Sequence, residues 1–278
     1  MGTIKKKVFL GKYEVYNQKL AYLARIAQKE PWSFKSTADE DPYRILRNYF
    51  QFTYDRLDEE NKIVLSEDQQ YACMNTGLLT QYDQEIMALF SRSQQPDFLP
   101  WYLVGFYRDT DKFLKERFSK VPEMADYFDD IGDVIYDKNL KIELNINHII
   151  DDNLERFQQA GYDNTELIHA LLTAAMEKVK KKLRRNFKLA LPFYYHNRET
   201  DERKIQLLIP LYFPGANVRL ALVLDKIKDT QRDPYYLAIT VLPVEWAYMN
   251  SRIIVRPDEE WAKIIEEVNV VNEKINLS

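Results

Sequence analysis

The spacing of apolar residues divides the chain into helical stretches early and a run of extended stretches late. Leu20, Leu23, Ala24 and Ala27 recur at helical spacing and predict a helix over Asn17 to Glu30. Asp41-Pro42 predicts the start of a second, with aspartate capping and proline at the first helical position ahead of Ile45, Leu46, Tyr49, Phe50 and Phe52. Asp58 to Asn61 turns the chain into a short strand, Lys62 to Leu65. Tyr71 to Thr76 and Trp101 to Tyr107 read as strands, separated by Gly77, further chain and a loop from Ser91 to Pro100. A helix over Asp111 to Ser119 follows, and Pro122 and Gly132 punctuate the middle of the chain.

The stretch Leu140 to Gln158 fits two periods. As a strand, Ile142, Leu144, Ile146, His148 and Ile150 share a face, and Asp152 then caps a short helix with Glu155 three residues on. As a helix from Asn145, the stripe is Ile146, Ile149, Ile150, Leu154 and Phe157, with Asn153 inside it and His148 turned away. We read it as strand then helix.

Asp163 to Arg185 is the clearest helix, with Ile168, Leu171, Leu172, Ala175, Met176, Val179 and Leu183 on one face. Four extended runs follow: Phe187 to Tyr195, Lys204 to Tyr212, Val218 to Asp225 and Tyr235 to Leu242. The short connections containing Pro214-Gly215 and Asp233-Pro234 predict an antiparallel meander. Glu245 to Ser251 reads as a turn or short helix, and Pro257 starts a terminal helix through Trp261, Ile264 and Ile265. The expected fold is α+β: a central antiparallel sheet flanked by helices, with a basic helix preceding a C-terminal β-meander. The expected organisation is one α+β domain over residues 20–265, with a point of subdivision near residue 135. It is preceded by an N-terminal extension, 1–19, and followed by a helix end and tail, 266–278.

Composition narrows the function classes. Hydrophobic residues make up 46% and charged residues 29% of 278, the balance of a folded chain. No apolar run reaches the roughly 18 residues of a membrane span. The basic start Met1 to Lys7 leads into no long apolar segment, so no secretory signal is expected. A single cysteine, Cys73, leaves no disulfide framework and no multi-cysteine zinc site. The expected compartment is the cytoplasm, with no membrane partner. Glycine is scarce at seven, and neither GxGxxG nor GxxxxGK[ST] occurs, which argues against Rossmann and P-loop sites.

The formal charge of −4 hides a concentrated patch. Lys178, Lys180, Lys181, Lys182, Arg184, Arg185 and Lys188 are seven cations in eleven residues. A solvated helix end, favoured by the helix dipole, is one reading. Phosphate binding is the other, since cations that neutralise phosphates release counterions. Phe187, Phe193, Tyr194 and Tyr195 follow closely and would offer stacking surfaces. Gln206, Lys188 and Arg219 interrupt apolar runs, either as solvent-facing sheet residues or as readers of an anion and a base edge. Of His148, His169 and His196, none has zinc-ligand spacing. His148, followed by Asp151, Asp152, Asn153 and Arg156, is the acid–base candidate. Glu245 to Arg252 gathers a carboxylate, phenol, amide and guanidinium just after a strand, for phosphate binding or a tied turn.

Several motifs recur in order: Asn75-Thr76-Gly77-Leu78; His148-Ile149-Ile150 with Asn153 and Arg156; Asn186-Phe187-Lys188 with Pro192-Phe193-Tyr194-Tyr195; Ile205 to Leu211; and Ala247-Tyr248-Met249-Asn250-Ser251-Arg252. Together they resemble the bacterial and fungal family catalogued as domain of unknown function 3825, from about residue 20 to about residue 262, with Ser251 where the pattern has alanine. The resemblance implies an association with RNA, because similar domains occur beside cold-shock or LOTUS-type RNA-binding modules. It also implies a motif-bearing polar set of His148, Asn153, Arg156, Asn186, Lys188, Gln206, Tyr248, Asn250 and Arg252.

The expectation is a protein acting on RNA or a nucleotide, first as a phosphoester or phosphoanhydride hydrolase. His148 would be general acid or base, with Glu245 as partner. Arg156, Lys188 and Arg252 would hold phosphate, while Asn153, Asn186, Gln206 and Asn250 orient the substrate and Tyr248 stacks. Lys178, Lys181, Lys182, Arg184 and Arg185 would make peripheral nucleic-acid contacts. No motif for a metal or organic cofactor is present, and a divalent cation stays open. The alternatives are a non-catalytic RNA- or nucleotide-binding module and a protein-interaction domain.

Overall fold

The computed structural model describes residues 3–34, 41–94, 99–197, 199–213, 219–228 and 231–266. Two compact units emerge: residues 1–33 with 41–126, and 34–40 with 127–278. Both are α+β, and each carries a mixed, mostly antiparallel five-stranded sheet.

The first unit contains α1 (Ile4–Lys7), β1 (Val8–Phe9), α2 (Tyr13–Ile26), α3 (Arg44–Glu59), β2 (Val64–Leu65), β3 (Tyr71–Leu79), β4 (Glu85–Arg92), β5 (Trp101–Arg108) and α4 (Lys112–Lys115). Its strand order is β1-β5-β4-β3-β2, with β1 parallel to β5 and the rest antiparallel. Residues 4–9 belong to this unit's fabric, for Ile4 and Val8 are buried. On one sheet face, Phe50 and Tyr54 of α3 meet Phe106 and Phe90 edge-on. On the other, Leu114 of α4 packs with Cys73, Met87 and Leu89.

β4 replaces part of the expected loop, with Ser91 and Arg92 as its last residues. Residues Ile86 to Phe90 are buried throughout, so the strand shows no alternation to betray it. Residues 95–98 of that loop lie outside the described residues.

The second unit contains α5 (Ile131–Val134), β6 (Lys141–Glu143), α6 (Ile146–Gln159), α7 (Thr165–Leu183), a 3-10 turn (Phe187–Leu189), β7 (Leu191–Asn197), β8 (Glu202–Pro210), β9 (Leu220–Ile227), β10 (Tyr235–Pro243) and α8 (Val244–Ser251). A last helix is described over 259–266. The strand order is β6-β10-β9-β8-β7. The basic helix therefore precedes an antiparallel meander, as expected, with β6 added parallel to β10. Pro214, Gly215 and Val218 of the expected turn and strand lie outside the described residues, as does the tail beyond 266.

Two expectations are corrected here. His148 lies on helix α6, not on a strand, because Asn145 caps the helix by accepting the His148 N–H at 3.3 Å. The buried residues of α6 are Ile149, Ile150, Asn153 and Phe157, one helical face that excludes His148. Lys188 is likewise not in a strand. The Asn186 side chain accepts the Lys188 N–H at 3.1 Å and starts a 3-10 turn, so β7 begins only at Leu191.

Candidate functional site

The helix α6 does not carry a free catalytic face. Asn153 departs from helical geometry (φ −129°, ψ 17°) and donates to the Ile149 carbonyl at 2.9 Å. Its Oδ1 accepts the Thr240 hydroxyl at 2.5 Å and an Arg156 guanidinium N–H at 2.8 Å. The same guanidinium nitrogen lies 2.8 Å from Thr240 Oγ1 and 2.6 Å from the Val241 carbonyl. Thr240 follows a register shift in β10. Asn153 and Arg156 thus form a polar knot that fastens α6 to an irregular strand, where backbone groups need partners. His148 stands outside the knot, largely in solvent, 3.3 Å from the Asp152 carboxylate one turn on.

The end of α7 divides by partner. Asn164 caps its start by accepting the Leu167 N–H at 2.8 Å. Near its end, Lys182 reaches Glu260 at 2.5 Å and lies over the Tyr212 ring, whose hydroxyl also donates to Glu260 at 2.8 Å. Burial works against the Glu260 carboxylate, but the bonds from Lys182 and Tyr212 outweigh it and hold its pKa below the usual value. Asn186 donates to Asp258 at 3.3 Å, and the buried Trp261 donates its ring N–H to the Leu189 carbonyl at 2.9 Å. Lys182 and Asn186 therefore anchor the last helix. Lys178, Lys181, Arg184, Arg185 and Lys188 remain exposed, with no carboxylate partner among the described residues. Phe187 sits within this group with 49% of its surface in water.

A third polar group lies on the meander. Gln206 and Asp225 are buried and directly opposed across β8 and β9. Lys204 bridges Asp225 at 2.6 Å and Glu202 at 2.9 Å. Partial burial disfavours the ammonium, yet these two carboxylates more than compensate and raise its pKa. Phe193 and Tyr195 on the neighbouring strand face Gln206 and Lys204 in register.

In α8, Tyr248 is buried edge-on against Phe34, and Arg252, just past the helix, is buried too. Glu245 and Asn250 are half-buried. Ser251 Oγ is buried without a hydrogen-bond partner among the described residues. Among those residues, no group of three or more His, Cys, Asp and Glu side chains is placed to hold a metal. No described helix is long and apolar enough to cross a membrane.

Asn75 to Leu78 has a structural reading. Gly77 has φ +72°, and a Cβ there would sit 2.7 Å from the Tyr49 hydroxyl. That hydroxyl donates to the Thr76 carbonyl at 2.7 Å, while Thr76 Oγ1 donates to Ile86 O at 2.6 Å. The motif is a bulge locked into β3. Sequence reasoning missed Thr240 and Glu260, which complete the knot and the anchor. Thr240 had no signal beyond its place in a strand, whereas Glu260 stands three residues after Pro257 in an acidic first helical turn.

The class defined by this geometry is an α+β protein with two mixed five-stranded sheets and a cationic helix end feeding a meander. The chain belongs to the family described as Domain of unknown function (DUF3825), whose model matches residues 23–261. No curated protein and no solved structure matches it.

Proposed function

We propose that the protein binds RNA or a nucleotide phosphate through the exposed end of α7 and the 3-10 turn that follows. One observation carries this reading. Five exposed cations without carboxylate partners among the described residues stand before and after the half-exposed Phe187 in the chain, in a protein whose net charge is negative. The helix dipole accounts for cations in the last turn of α7 at about 0.3–1 kcal/mol each. It does not account for Lys188 beyond the helix or for Phe187 in water. Cations flanking an aromatic ring match the phosphate and base of a single strand.

The test is anisotropy of labelled single-stranded RNA across a salt series. Lys181→Glu with Arg185→Glu should weaken binding and flatten its salt dependence. A wild-type protein that binds neither RNA nor nucleotides at low salt would sink the reading.

Hydrolysis of a phosphoester or phosphoanhydride is the second reading. It draws on the solvent-accessible His148–Asp152 pair, in which a carboxylate lies 3.3 Å from an imidazole. Incubation with RNA, capped RNA and dinucleotides, with and without divalent metal, tests it. Turnover that His148→Ala abolishes would favour catalysis, and turnover indifferent to that change would remove His148 from the chemistry.

A further inference from the structure

The first unit holds a cleft that no motif of the sequence marks. Sheet pairing places Tyr71, Ser91, Tyr102 and Phe9 in one row across β3, β4, β5 and β1. Side chains in such a row share a face. They line a cleft of about 650 Å³ together with Arg92, Arg117, Asp68 and Gln70. The volume is in the range of small-molecule sites. α4 covers the Tyr71 end of this face, where Tyr71 packs edge-on against Phe113, while the other end of the row stays accessible: Phe9 is 40% and Tyr102 36% exposed.

The chemistry of the lining is specific. The Phe9 and Tyr102 rings lie 6.1 Å apart, tilted by 31°. Lys19 lies 4.3 Å from the Tyr102 ring centre and donates to its hydroxyl at 3.2 Å, which fixes that ring. Arg117 is stacked on Phe113 at 3.8 Å, with its guanidinium 5.7 Å from the Tyr71 ring. Arg92 is exposed and has no carboxylate partner among the described residues, whereas Arg117 lies 3.9 Å from the Glu116 carboxylate. Asp68 takes the Ser66 hydroxyl at 2.6 Å and the Gln70 N–H at 3.0 Å, both on Oδ1. Those two bonds hold its carboxyl below the usual range. Oδ2 has no hydrogen-bond partner among the described residues and is open to an N–H or O–H donor.

We propose that this cleft is a stacking site for a nucleotide of single-stranded RNA. The base lies on the Phe9–Tyr102 platform, Arg92 and Arg117 meet the phosphate, and Asp68 Oδ2 accepts from a base amino group or a ribose hydroxyl. An aromatic floor with cations at the rim and a carboxylate acceptor matches the three parts of a nucleotide. This inference rests on the RNA-binding reading above, but it assigns a separate site in the first unit.

The experiment titrates the full chain with a tetranucleotide RNA in high salt, where the phosphate attraction of α7 is screened, and reads quenching of tryptophan fluorescence, since Trp101 lines the cleft. Phe9→Ala and Tyr102→Ala should each weaken binding by roughly ten-fold, the scale of one lost stacking contact. Arg92→Ala, an exposed change that spares the core, should weaken binding at low salt, which guards against loss of fold as the cause. Wild-type affinity in all three cleft variants overturns the cleft and leaves the α7 reading standing. Absence of RNA binding by the wild type in any salt overturns both. Equal binding of maltotetraose would also overturn the assignment, because a sugar needs no phosphate contact.

Discussion

Asn153 separates a ligand-binding role from a structural one. Its amide accepts from Arg156 and Thr240 and donates to Ile149, all within one fold. Asn153→Ala should therefore destabilise by about 1–3 kcal/mol, the cost of leaving buried polar groups unpaired. Denaturant unfolding measures this, and RNA affinity of the folded variant should be unchanged. Lost binding at full stability would instead make Asn153 a ligand contact. The sequence exposed Asn153 as a polar residue in an apolar helical stripe, which is the signature of such a knot. It did not expose Thr240, because a threonine in a strand needs no explanation. Residues 142–150 misled for a related reason. Isoleucines at 142, 146 and 150 satisfy a period of two as well as a helical turn, and only the cap at Asn145 decides between them.

At the scale of elements, α7 and the four strands after it were legible because amphipathic spacing and short turns leave little choice. The central strand β4 was not, because burial of both faces erases alternation, and its apolar run ends without a glycine or proline. The last helix is held to α7 by Glu260 and to the 3-10 turn by Trp261, and the first of these contacts depends on pH. The folded-state pKa of Glu260 is depressed, so its contribution is fully present above the ordinary carboxylate value and is lost as pH falls through the folded value. Thermal unfolding of wild type and Glu260→Gln should differ at neutral pH by a modest amount, about 1 kcal/mol or less for so accessible a pair. The two melting temperatures should converge only once the pH has fallen below the depressed folded-state pKa, which lies under the ordinary carboxylate value. A gap that persists in acid would show that Glu260 acts through packing, not charge.

The whole molecule is acidic, with 39 basic and 43 acidic residues, so any attraction to RNA has to be local. Two explanations of a salt-sensitive affinity then compete: the patch at the end of α7, and the total charge. They separate because Lys5 and Lys6 are also exposed cations, on α1 in the first unit. Lys5→Glu with Lys6→Glu changes the net charge by the same amount as Lys181→Glu with Arg185→Glu. For single strands each phosphate contact contributes about −0.7 to the slope of log affinity against log salt. If both residues touch phosphate, the α7 pair should reduce the steepness by about 1.4. The α1 pair should leave the slope unchanged and lower affinity only slightly. Five contacts would set a limit of about −3.5 for that patch in the wild type. Equal effects from the two pairs would mean that RNA responds to mean charge, and the patch would lose its standing as a recognition surface. A smaller slope change that is still confined to the α7 pair would mean that only one of its two cations reaches a phosphate.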